Sequence, residues 1–132
     1  MILCTNVVQK GEVIVLNAGT YKMKSAVTVP AGVTIVGANA GISGKDWKDT
    51  DDSLKTIINV ASEDGLLILE DAGFVKIDGI EINCMNSFIK AVYSYSTDES
   101  FLRNIVITNN IITNSADDGI NLSNTYRKVP NK

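Results

Sequence analysis

Val75-Lys76-Ile77-Asp78-Gly79-Ile80-Glu81-Ile82 is echoed by Ile105-Val106-Ile107-Thr108-Asn109-Asn110-Ile111-Ile112, a displacement of 30 residues from 75 to 105. A second set of β-type runs recurs beside it. Gly65-Leu66-Leu67-Ile68-Leu69 is followed by Ser87-Phe88-Ile89-Lys90-Ala91 and then by Gly119-Ile120-Asn121-Leu122. Aligning Leu67 with Ile89 and Ile89 with Ile120 gives spacings of 22 and 31, the excess falling in polar stretches such as residues 94–100. Repeats of this length mark units that cannot bury an apolar face alone and must stack on one another.

The units are built from short runs rich in Val, Ile and Thr, punctuated by Gly, Asn and Asp, with no stretch keeping helical three-and-four spacing. They cover residues 12–16, 26–29, 33–36, 56–60, 66–69, 74–77, 80–83, 88–93, 104–108, 110–113 and 119–122. About three strands per unit, with no helix between them, exclude leucine-rich and ankyrin repeats. Tight hairpins between long alternating strands, which a sandwich would use, are missing. The pattern predicts an all-β fold: a right-handed, single-stranded parallel β-helix, a short solenoid of about four to five coils. In it each strand pairs in parallel with its equivalent one coil on. Asn109 and Asn110 are expected at a bend, where asparagine accepts a left-handed backbone and its amide can bond to an asparagine one coil away.

Bulk properties narrow the function classes. The chain of 132 residues is 45% apolar, enough for one core, and carries 12 basic against 15 acidic residues for a net charge of −3. With no basic stripe, nucleic acid is not an expected partner. No run approaches the roughly 18 apolar residues of a membrane helix, and no signal-peptide core stands at the start. Cys4 and Cys84 show no metal-ligand spacing and read as buried thiols. Histidine is absent, so any catalysis would have to use carboxylates, Lys, Arg or Tyr.

Gly11-Glu12-Val13-Ile14-Val15, Gly19-Thr20-Tyr21 and Val27-Thr28-Val29-Pro30-Ala31-Gly32-Val33-Thr34-Ile35-Val36-Gly37 resemble the opening of the pectin lyase-like superfamily of right-handed parallel β-helix proteins. The later units resemble its generic coils, so the resemblance covers residues 11–123. It implies one domain over residues 1–132 with an inserted loop at residues 41–55, forming the N-terminal part of a longer solenoid. It also implies an extracellular, cell-surface or virion-surface location, a polysaccharide partner, and either further coils of the same protein or a homo-oligomer. Only ten residues precede the first glycine of the motif, short for the amphipathic helix that caps such folds. The polar end of the chain offers no obvious cap either. An uncapped solenoid exposes strand edges and apolar side chains.

Candidate chemistry falls into three groups. Asp117 and Asp118 form a carboxylate pair of the kind that acts as acid and base in glycoside hydrolysis. β-Helix polygalacturonases use an Asp-Asp motif, but their His-containing loop and Arg-x-Lys element have no counterpart here. The plain reading is that Asp118-Gly119 turns into a strand, as Asp64-Gly65 and Asp78-Gly79 do. Residues 41–55 gather Asp46, Asp49, Asp51 and Asp52 around Trp47, an oxygen-rich set suited to Ca2+ with an aromatic suited to a sugar ring. A solvated loop anchored by Trp47 is the alternative. Tyr93 and Tyr95, with Lys90 and Arg103, are the material for a carbohydrate-facing groove. The resemblance to β-helix lyases would make Arg103 or Lys90 the base. The expected function is a module associated with an acidic polysaccharide such as pectate or alginate, lacking a complete active site. A non-catalytic structural or surface module that self-associates is the alternative.

Overall fold

A computed structural model of the chain describes residues 11–47, 51–60, 65–68, 74–87, 90–94 and 104–122. Twelve strands make up almost all of its regular structure: β1 (Val13–Val15), β2 (Gly19–Met23), β3 (Val27–Val29), β4 (Thr34–Val36), β5 (Thr56–Val60), β6 (Leu66–Ile68), β7 (Val75–Asp78), β8 (Glu81–Ser87), β9 (Val92–Ser94), β10 (Ile105–Thr108), β11 (Ile111–Ser115) and β12 (Ile120–Leu122). Two short 3-10 turns, Gly44–Asp46 and Asp52–Leu54, lie in the insertion between β4 and β5. The fold is all-β, as expected.

The strands form three parallel sheets of four: β1-β4-β7-β10, β2-β5-β8-β11 and β3-β6-β9-β12. The chain therefore visits the three sheets in the same order four times. Each visit deposits one strand beside its predecessor in every sheet, and parallel neighbours need such long connections. Alternation along each strand sends one set of side chains to the core. Ile14, Ile35, Ile77 and Ile107 stack in the first sheet. Tyr21, Ile58, Ile82 and Ile112 stack in the second, and Val27, Leu66, Val92 and Ile120 in the third. Ile35, Ile58, Leu66, Ile77 and Val92 are completely buried, each contributing about 1.5–3 kcal/mol by leaving water. The ladders end unequally. Tyr21, Met23, Val27 and Val29 in the first round are buried, whereas Ile120 and Leu122 in the last are 43% and 40% exposed.

The structure corrects the sequence reading in three places. The 30-residue displacement holds, with Val75 opposite Ile105 and Glu81 opposite Ile111. The second set of echoes takes a different register from the one expected. Leu67 pairs with Tyr93 rather than Ile89, and Val92 rather than Ile89 pairs with Ile120. β2 was not recognised at all, because Gly19-Thr20-Tyr21-Lys22-Met23 lacks the Val/Ile signature and becomes a strand through five register pairs with β5. The bend asparagines also work differently. Asn109 Nδ2 donates to Asp78 Oδ1 at 2.9 Å, while Asn110 bridges two backbone groups of the previous round, donating to Ile77 O and accepting from Ile80 N, each at 2.9 Å. The asparagine-to-asparagine bond belongs to Asn114, whose Nδ2 donates to Asn83 Oδ1 at 3.0 Å. Asn109 and Asn114 do have left-handed backbones, with φ of 55° at each. Cys84 is buried, and Cys4 lies outside the described residues. Among the described residues no helix is long and apolar enough to cross a membrane.

Candidate functional site

Half of the described candidates, Lys90, Tyr93, Asp117 and Asp118, lie on the third sheet or in the turns that enter it. Val92 and Ser94 are buried, and Tyr93 between them takes the outward position of β9. By register Asn121 occupies the same position on β12. The turns entering these two strands are held together by Ala91 N and Val92 N, which both donate to Gly119 O, at 2.9 and 3.2 Å. This contact brings Lys90 beside Asp117, with Nζ 3.1 Å from Oδ2. Asp118 Oδ2 accepts from Asn121 Nδ2 at 2.9 Å, and the Ser115 hydroxyl donates to Asp117 O at 2.8 Å. Tyr93, Lys90, Asp117, Asp118 and Asn121 thus belong to one corner of the last two rounds.

The bond from the Lys90 ammonium, reinforced by the Asp118 N–H, holds the Asp117 carboxyl below the usual carboxylate range. Asp117 is therefore ionised at neutral pH and engaged as an ion-pair partner, a state unsuited to donating a proton to a leaving group. Replacing Lys90 with methionine is expected to move the Asp117 titration upward towards the ordinary value. Carbon-detected NMR titration of the Asp117 carboxyl reads this directly, and an unchanged midpoint would show that the pair is not formed in solution. The Asp-Gly steps serve the backbone. Gly65 and Gly119 immediately precede β6 and β12, and Gly79 forms the bend between β7 and β8.

The insertion places its side chains elsewhere. Gly44 packs against Ile111 and the carbonyl of Asn110, so the segment lies over the start of β11 in the second sheet. Trp47, half-buried, is fixed by its indole N–H donating to Ile42 O at 2.8 Å. Trp47 therefore stands in the insertion, whose Gly44 lies on the second sheet, whereas Tyr93 is on the third. Asp51 caps the second 3-10 turn, accepting from Ser53 N at 2.9 Å and from the Ser53 hydroxyl at 2.7 Å. These bonds lower its pKa, the hydroxyl contributing most. Asp52 pairs with Lys55 at 3.4 Å, and Lys55 reaches Glu81 of β8 at the same distance. Asp46 is exposed. Among the described residues no three acidic or thiol side chains converge as a metal site. Asp49, Tyr95 and Arg103 lie outside the described residues.

Sequence reasoning passed over Phe74 by counting it as the first residue of a strand. In the structure it precedes β7, with φ of 60° and 71% of its surface exposed. The only sequence hint was a phenylalanine where the unit 30 residues on has Asn104. Compared with known proteins, the chain matches no family model, no curated protein and no solved structure.

Proposed function

We propose that the three sheets are the sides of one right-handed parallel β-helix, and that this module binds an extended polysaccharide without cleaving it. The observation that carries the reading is the corner formed by Lys90, Tyr93, Asp118 and Asn121. It puts an aromatic side chain at an outward position of a parallel sheet, next to the turns that carry the hydrogen-bonding groups. Strands about 4.8 Å apart repeat such positions along the stack, a rise of the same order as one sugar unit, so a polymer laid across the strands meets a new side chain at each step. Aromatic rings bury the C–H face of a sugar, and amides and charged groups bond its hydroxyls. The ion-paired state of Asp117 speaks against a role as the proton donor of a hydrolytic pair. A cell-surface or virion-surface location accords with this role.

Affinity electrophoresis in gels containing polygalacturonate, alginate or hydroxyethylcellulose tests the proposal. The chain is expected to be retarded by at least one polymer. Tyr93→Ala is expected to weaken that retention roughly tenfold, the equivalent of about 1.4 kcal/mol from one stacking contact. Release of unsaturated uronides, seen by ultraviolet absorbance with Ca2+ present, would refute the non-catalytic part. The second reading, a structural module that self-associates, draws on Ile120 and Leu122, apolar and exposed at the end of the third sheet. Retention by none of the polymers, together with a molecular mass that rises with concentration, would favour it.

A further inference from the structure

Each strand of the first sheet is entered through a left-handed residue. Extending the register of Val13 with Thr34, Thr34 with Lys76 and Val75 with Ile105 aligns Gly11, Gly32, Phe74 and Asn104 in one column. Their φ values are 86°, 77°, 60° and 53°. Glycine and asparagine are the residues that accept this conformation, whereas a bulky aromatic side chain there is a genuine outlier. Phe74 is also the most exposed of the large apolar side chains among the described residues. It is thus disfavoured by its backbone and by its contact with water, with no internal burial in return. Strain of this sort persists where it serves a function.

We propose that Phe74 is the platform of a sugar-binding subsite on the first sheet, on which the C–H face of a hexopyranose unit lies. Its setting favours a sugar over a protein partner. The column neighbours are Gly32, which brings no side chain, and the exposed amide residue Asn104. The next outward residue on its own strand is Lys76, 46% exposed and 3.3 Å from Asp78. Val106, opposite Lys76, is the nearest exposed apolar residue by register. Among the described residues, one ring and one adjoining valine fall short of the few hundred Å2 of contiguous apolar surface that marks a protein interface. The subsite rests on the polysaccharide reading but lies on a different sheet from Tyr93, so the two can be separated.

The test compares the full chain with Phe74→Asn, which installs the residue found at Asn104, and with Phe74→Tyr, which keeps a ring. Phe74→Asn is expected to melt a few degrees higher, because strain and exposed apolar surface are both removed. It is also expected to bind the polymer retained by the wild-type chain about tenfold more weakly, with Phe74→Tyr close to wild type. A gain in stability paired with a loss of binding is what a purely structural residue does not give. Unchanged binding by Phe74→Asn alongside weakened binding by Tyr93→Ala overturns the subsite and leaves the polysaccharide reading standing. A lower melting temperature for Phe74→Asn overturns it too, by showing that the ring packs internally. So does a change in sedimenting mass, which would assign the ring to a protein contact. If the wild-type chain is retained by neither polygalacturonate, alginate nor hydroxyethylcellulose, the reading and the subsite fall together.

Discussion

Gly79→Ala is expected to destabilise the fold by roughly 3 kcal/mol, through left-handed strain and a steric clash acting together. Gly79 has φ of 80°, and a methyl group added there would meet the backbone of Asn39 and Ala40. The approach is close because the 37–42 segment folds onto this bend. Asn39 N donates to Gly79 O at 3.2 Å, and Gly79 N reaches Thr108 O in the next round. Backbone on one side and backbone on the other leave nothing flexible to yield. Gly41→Ala is the informative control. Its φ is 79°, but open space surrounds the position where its methyl would go, so it should lose only the strain of about 1 kcal/mol. Urea unfolding of the two variants separates the effects, and equal losses would mean that the close approach at Gly79 is unimportant.

Asp78→Ala should cost about 1–3 kcal/mol, and the loss should depend on pH. The Asp78 side chain is 8% exposed. Its Oδ1 accepts from Asn109 Nδ2 and from Gly41 N at 3.0 Å, and its Oδ2 lies 3.3 Å from Lys76 Nζ. One carboxylate thus ties the insertion, β7 and the bend before β11 together. Alanine would leave the Gly41 N–H and the half-buried Asn109 amide without this acceptor, at about 1–3 kcal/mol for the two together because water reaches Gly41. Burial acts to raise the Asp78 pKa, but the bonds from Asn109, Gly41 and Lys76 outweigh it and leave the pKa lowered. A carboxyl lowered on folding stabilises the protein above its unfolded pKa of about 3.9, and that contribution is lost as pH falls through the folded value. The stability difference between wild type and Asp78→Ala should therefore be largest near neutrality and shrink below about pH 4. A difference independent of pH would show that the charge on Asp78 is not what matters.

Legibility in the sequence followed the chemistry of each segment. The Val75 and Ile105 units could be aligned because Val or Ile stands at matching places in both, Val75 with Ile105, Ile77 with Ile107 and Ile82 with Ile112, and the period-two alternation of the first unit fixes which side faces the core. The third sheet was harder to read. Its strands are three residues long, and short apolar runs such as those near Ile89 and Val92 offer more than one register. β2, with a glycine, a lysine and a methionine among five residues, owes its extended form to pairing with β5 rather than to its own propensity. The candidate site was legible as a collection of residue types, but not as an arrangement. Lys90 and Asp117 stand 27 positions apart and meet because Gly119 O bridges two rounds. Asp51 and Asp52, adjacent and alike in sequence, are drawn to different partners, Ser53 and Lys55.

The sequence by itself determined that this chain is all-β, built from short recurring units of which the Val75 and Ile105 ones stand 30 residues apart, and free of histidine chemistry. Those properties reside in composition and in local alternation. Only the tertiary structure decided which strand lies on which, that Asp78 rather than an asparagine receives Asn109, that the insertion carrying Trp47 packs on the second sheet while Tyr93 stands on the third, and that Phe74 occupies a left-handed turn otherwise held by Gly and Asn. Each of these depends on register between segments far apart in the chain, such as Thr34 with Lys76 and Val75 with Ile105. Register is set by how all the inward side chains stack at once, which no single segment encodes.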